Sequence, residues 1–505
     1  MRRASPVVTT LVFSALTAFC TDLRVTEAVQ SENKAQLRSL IAQRADVNAA
    51  GVDGATALHW AVEYDDLESV DLLLKAWAHV DTPDRYGMAP LFYAVTNGNS
   101  AISERLLAAG ADANRSGQAG DSLLMIAARG NSIEILQALL EKGASVNATD
   151  EVARQTPLMW AVRSNNVSAV KALLDHGAEV NARTREGKRP ERRPPGAGGG
   201  SHGTGIVRGG WPDRGYQPEA PGGMSPLLFA ARDGRLDIAK LLLEAKADVN
   251  QADVNGITPL LAAISNHQLP LARLLLEHGA NPQSADQWGR TPLWAAVEIR
   301  NRDIGRNGER MDREGALKLI EDLILRGVDV NARTTEVPPV RRFVTPLGDL
   351  SWVDFIGQTP FLRAAVSGDV TVMKLLLKHG ANPNIPTNSN TTALMAAAGV
   401  NWVVAQTYTE SKESLMEAVK LCLELGAEVN TANTMGLTAV MGAANRGSDE
   451  ILQFLVSKGA RLDVKDKEGR TPYNWAEGVF LATNAPEQKP STMALIKKLT
   501  GEQRP

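Results

Sequence analysis

Cysteine is almost absent. Cys20 and Cys422 are the two in 505 residues, so neither a disulfide framework nor a Cys/His metal pattern is available. Cys422 takes a leucine-like place in the stretch A-V-K-L-C-L-E-L-G-A and is expected to be plain packing. Aromatic residues make up 5% of the chain, which leaves core building to Leu and Ala. Neither sign of charge dominates: the net is −3. That gives no general bias toward nucleic acid or an acidic membrane, and no DNA partner is expected.

Signs of chemistry are missing too. There is no G-x-S-x-G, no phosphate-binding loop of the Walker type and no H-E-x-x-H. The seven histidines lack triad or ligand spacing. His176, His278 and His379 all stand in the phrase x-H-G-A at the end of an apolar helix, where a cation suits the helix dipole. The chain is therefore read as non-catalytic, with no metal and no cofactor.

What the chain does have is repetition. One phrase opens at Thr56, Ala89, Ser122, Thr156, Ser225, Thr258, Thr291, Thr359, Thr392, Thr438 and Thr471. Six of the ten intervals are 33 residues and one is 34; the others are 69, 68 and 46. Each copy reads as a helix pair. Thr caps a first helix, and Pro fits its first position, as in Thr156-Pro157 and Thr258-Pro259. Small residues follow, for example Ala230-Ala231, which let helices approach closely. A second helix carries a leucine stripe such as Leu241-Leu242-Leu243, and ends in Gly-Ala, as at Gly279-Ala280. The phrase A-D-V-N then enters a turn, where Asp can bond the backbone two residues on. A fixed period of this length marks a solenoid, in which each repeat needs only its neighbours.

The pattern T-P-L-H-x-A, helix, turn, helix, G-A-D-x-N resembles the ankyrin repeat. The resemblance covers about residues 23–499, with an N-terminal pair of helices near 23–30 and 34–43, giving about twelve repeats. It implies an all-α helix-turn-helix solenoid with β-turn fingers, acting as a protein-binding scaffold and expected to be monomeric. Repeats are expected over 21–182 and 223–499, separated by a Gly/Pro/Arg-rich insert at 183–222.

The breaks in the period distinguish this array. From Arg183 to Arg214 there are eight Lys/Arg against Glu186, Glu191 and Asp213, a local charge of +5. Either this is a solvated linker or it binds an anionic polymer, which is the alternative function; a purely structural envelope role is a third. Further inserts lie near 300–314, 333–355 and 400–413. The 333–355 segment is apolar, and an exposed large side chain forgoes roughly 1.5–3 kcal/mol. It is therefore expected to dock beside the Thr359 repeat, anchored by Phe343 and Trp352.

In ankyrin-like arrays the finger tips and the exposed face of the first helix line a groove. By register, the resemblance points to Tyr64, Tyr86 and Trp288, with Arg129, Arg163, Arg232 and Arg446 behind them. Tyr, Trp and Arg are the usual hot-spot types. Trp60 and Trp160, by contrast, are expected in the core. At the start of the chain, Arg2-Arg3 precedes the apolar stretch Val7–Phe19. That stretch falls short of the about 20 residues a spanning helix needs, and reads as a signal peptide over 1–20. Export to a periplasmic or extracellular space is expected, with a mature start near Thr21. No transmembrane span is expected, and Phe19 is a poor residue to precede a lipid anchor at Cys20. A native protein that still begins at Met1 would overturn the export reading.

Overall fold

The computed structural model describes residues 22–130, 132–187, 222–302, 312–336, 356–400, 410–479 and 487–501. The signal-peptide segment and the insert anchors Phe343 and Trp352 lie outside them. Among the described residues there are 24 helices and no strand beyond one isolated bridge between Ser116 and Ser122. The helices fall into twelve consecutive pairs, the first being Arg24–Gln30 with Lys34–Ala42. The all-α solenoid expected from the repeat is the fold observed. None of the helices is long and apolar enough to cross a membrane.

The chain forms two compact units, Met1–Glu151 and Val152–Pro505. The first holds four helix pairs and the second eight. In each unit, helices of successive repeats pack side by side, and the core is built from the leucine stripes and small residues. Leu58, Leu73, Leu91, Leu106, Leu124 and Leu139 are fully buried in the first unit, and Leu158, Leu242, Leu275 and Leu376 in the second.

The caps explain why the helices begin where they do. The side chains of Thr156, Ser225, Thr258, Thr291 and Thr359 each accept a hydrogen bond from the backbone N–H three residues on, with Pro at the first helical position. This satisfies one of the donors a helix start leaves open. At the other end, the Asp of the A-D-V-N phrase accepts from the N–H two residues on, as Asp46 does from Asn48 at 2.9 Å. The Asn of the phrase does something the sequence did not reveal. Asn48 Oδ1 accepts from the backbone of His79, 2.7 Å away in the next repeat. The same staple joins Asn250 to Asn281 at 2.7 Å and Asn430 to Arg461 at 2.9 Å. It also crosses two inserts, from Asn181 to Asp248 at 2.8 Å and from Asn331 to Asn382 at 2.7 Å. Repeat-to-repeat stacking therefore continues past those inserts.

The finger at 183–224 closes like the others. Thr184 N–H donates to the Met224 carbonyl at 3.0 Å, and Met224 N–H donates to Thr184 Oγ1 at 2.9 Å. The described residues on either side of 188–221 thus belong to one closed finger.

Candidate protein-binding surface

In the first unit the surface is built on the helix Ala57–Glu63. Its cap Thr56 donates its N–H to Nδ1 of His59 at 3.1 Å, while Nε2 of His59 lies 3.1 Å from the Met88 carbonyl. Nδ1 is therefore the acceptor and Nε2 carries the proton. Burial lowers the pKa of this imidazole and keeps it neutral. The ring ties one repeat to the finger of the next. Tyr93 packs edge-on to it, with centroids 6.1 Å apart, and donates its hydroxyl to Asp84 at 2.5 Å. The carboxylate of Asp84 also accepts from the N–H groups of Tyr86 at 2.8 Å and Met88 at 2.9 Å. Burial raises the Asp84 pKa, but these hydrogen bonds outweigh it and hold the group below its ordinary value. Tyr86 thus stands on a finger fixed from three directions.

Tyr86 is 51% exposed and Tyr64 44%, which leaves both rings available as contact surface. The Arg85 guanidinium lies 4.7 Å from the Tyr86 ring centre and donates to its hydroxyl at 2.6 Å. Tyr64 packs against Trp60, with centroids 5.9 Å apart. Trp60 and its counterpart Trp160 are half-buried rather than core. Arg129, at the end of the helix Leu123–Arg129, is exposed.

In the second unit Arg163 is exposed and Arg232 half-buried. Arg232 holds Asp233 through two bonds of 2.8 and 3.0 Å. Two expectations are corrected here. Trp288 is fully buried and offers a partner nothing. It occupies the slot that Tyr86 has; its carbonyl receives the N–H groups of Thr335 at 2.8 Å and Glu336 at 3.3 Å, as the Tyr86 carbonyl receives Gln118 Nε2 at 3.2 Å. The adjoining finger runs along it, and the Arg290 guanidinium lies 5.2 Å from the ring centre. Arg446 is a structural clamp. Its guanidinium donates to the carbonyls of Ala397 at 3.1 Å and Val366 at 3.0 Å, joining the ends of three successive first helices. Burial pulls its pKa down, and those carbonyls at helix C-termini are the natural partners of a cation.

Cys422, His176 and His278 take structural places. Cys422 is buried, which pushes its thiol up to about 12 and leaves it inert. His176 and His278 each hold the carbonyl four residues back at 2.8 Å.

Comparison with known proteins now bears on this geometry. Residues 25–117, 103–184, 227–306 and 408–478 match the family described as ankyrin repeats (3 copies), and 356–388 match a single ankyrin repeat. The chain belongs to the ankyrin repeat family. Among curated proteins it is 30% identical over 104 residues to "Ankyrin repeat, SAM and basic leucine zipper domain-containing protein 1" of Dasypus novemcinctus, covering 21% of this chain and 20% of that protein. It is 42% identical over 84 residues to "Nuclear factor NF-kappa-B p105 subunit" of Mus musculus, covering 16% of this chain and 9% of that one. The ankyrin chain thus spans a fifth or less of the length of these relatives. Among solved structures it is similar to the ankyrin repeat domain of Bcl-3, a member of the IkappaB protein family, at 25% identity and a TM-score of 0.39, over 50% of this chain and 98% of that one.

Proposed function

We propose that this ankyrin repeat chain is a non-catalytic scaffold that binds another protein. The observation that carries the reading is the pair Tyr64 and Tyr86, exposed aromatic rings on the first-helix end and the finger of neighbouring repeats. The hydrogen bonds through Asp84 and His59 fix the finger before any partner arrives, so little ordering cost remains to be met on binding. Rigid aromatic anchors of this kind carry most of the energy in protein interfaces.

The test is capture of partners by the full chain from a native extract, followed by affinity measurement on the purified pair. Tyr64→Ala with Tyr86→Ala should weaken binding by about thirtyfold, corresponding to about 2 kcal/mol, with helical circular dichroism unchanged. Equal binding by the double variant would remove this surface from the interface.

A further inference from the structure

In the first unit, the exposed ring of Tyr64 stands among acids that the local structure does not ask for. We propose that this end of the first-helix face takes a basic segment of a partner protein. An Arg or Lys of that segment lies against the Tyr64 ring, and Glu32, Glu63 and Asp65 hold its charge. The proposal rests on the protein-binding reading above and names the partner chemistry of one part of that surface.

Glu63 is the last residue of the helix Ala57–Glu63. The carbonyl end of a helix favours a cation, and Arg129, Arg163 and Arg232 fill the same place in later repeats. Glu298 also stands there, but Arg302 and Arg363 hold it. Glu32 and Asp65 follow the first helices of consecutive repeats, each with φ of +52°. Gly98, Gly234, Gly368 and Gly447 take that place elsewhere, also with positive φ. Glycine enters this region freely, whereas a residue with a Cβ is strained there. Strain kept at a surface is a sign of function. Among the described residues neither Glu32 nor Glu63 makes an ion pair. Asp65 accepts from the neutral amide of Asn99 at 3.1 Å, which leaves its charge uncancelled.

The nearby cations do not supply the missing charge. Lys34 is taken by Asp66 at 3.0 Å and Glu68 at 3.1 Å, and Arg38 by Glu68. Arg24 is bound to Asp22 at 2.6 Å. Arg85 lies on the next finger, with its guanidinium over the Tyr86 ring. Arg129 stands two repeats further on, beyond the uncharged Thr96 and Asn97. Glu27 on the first helix and Asp53 on the first finger add to the negative side. Phosphate polymers are therefore repelled here, and a basic peptide is drawn in. Tyr64 is 44% exposed and is backed by Trp60, with centroids 5.9 Å apart. A cation over such a ring is attracted to its face, and carboxylates beside it accept the N–H groups.

Fluorescence anisotropy of the full chain tests the proposal, with a short labelled peptide alternating Arg and Leu and the same peptide with Gln for Arg. The Arg peptide should bind about tenfold or more tighter than the Gln peptide. Glu32→Gln with Glu63→Gln should cut that preference at least about fivefold while helical circular dichroism is kept. Glu244→Gln with Glu277→Gln makes the same change of charge at exposed acids on second helices and should leave the preference unchanged. Should the first pair lose helicity, Glu63→Gln alone should reduce the preference at least about twofold. A preference that is absent in the parent chain, or survives the Glu32 and Glu63 variants, overturns the proposal. So does an equal loss in the Glu244 and Glu277 variant, which would mean attraction to net charge alone. Displacement of the Arg peptide by spermine as readily as by unlabelled peptide would make a free polyamine the ligand and also overturn it. If the preference is absent while a captured partner still depends on Tyr64 and Tyr86, this proposal fails and the scaffold reading stands. If neither dependence is seen, both fall.

Discussion

At the scale of single residues, Trp77 is the most unusual. It sits where the second helix of the Thr56 repeat ends, with φ of +65°. Gly110, Gly143, Gly279 and Gly380 take this slot in other repeats, also with positive φ. Glycine enters that region without a Cβ penalty, whereas another L-residue is strained by about 1–2 kcal/mol. Nor does burial compensate, because the indole is 86% exposed at the rim of an open groove lined by Leu74, Ala78, His79, Val80 and Thr82. Trp77→Gly should therefore stabilise the first unit by about 1 kcal/mol, seen as a higher denaturation midpoint. A lower midpoint would mean that the ring packs in a way its exposure hides.

The same scale shows what the sequence could and could not convey. A residue whose role is set by its own repeat was legible. Thr258 caps its helix, and Cys422 fills a leucine place. A residue whose role is set by the next repeat was not. Trp288 and Tyr86 share a slot, yet one is buried and the other exposed. Arg446 looked like a surface cation and instead spans two preceding repeats. Asn48 looked like a turn residue and is a staple. Periodicity gives the address of a side chain but not what its neighbour places against it.

At the scale of elements, the helices that follow the shorter inserts are longer than the rest. Arg313–Leu325 and Lys412–Glu424 have 13 residues each, whereas second helices such as Leu236–Glu244 have nine. Their starting turns meet charged partners. Arg313 pairs with Glu410, and Arg300 with Asp369 at 2.8 Å. Beside them Glu298, on the helix Pro292–Arg300, is held by Arg302 at 2.9 Å and by Arg363, on the helix Pro360–Ser367. This cluster joins repeats on either side of the 337–355 insert. Sequence reading missed it because Glu298 and Arg363 are 65 residues apart and share no motif. Burial pushes the Glu298 carboxyl up, but attraction to Arg363 and Arg302 outweighs it and holds the pKa at about 2, against an ordinary 4.5. A folded value below the unfolded one means stability that is present above 4.5 and lost as pH falls toward 2. Glu298→Gln should cost about 3 kcal/mol at neutral pH, since it leaves Arg363 buried with its charge uncompensated. The difference from the parent chain should shrink on acidification to roughly pH 3. Denaturant titrations at both pH values decide it, and a pH-independent difference would show that the loss is one of shape and not of charge.

At the scale of the whole molecule, a solenoid has no central core to enforce one transition. Its stability is close to a sum of repeat and nearest-neighbour terms. Here contacts gather into the units Met1–Glu151 and Val152–Pro505, and their bracing differs. The first keeps a near-regular period, with its fingers and staples as the ties between repeats. The second adds the Glu298 cluster, the Arg446 clamp and two lengthened helices. Unequal bracing in a nearest-neighbour system predicts unequal midpoints, so unfolding in urea should show at least two phases. Substitutions assign them. Leu73 and Leu242 take the same fully buried place in their leucine stripes, and Leu→Ala at such a site costs about 2–5 kcal/mol. Leu73→Ala should move the phase of the first unit and leave the other in place, and Leu242→Ala should do the reverse. Following both variants by circular dichroism gives the answer. A single transition that moves as one with either substitution would show that coupling between repeats outweighs the difference in bracing, and that the array folds as one cooperative body.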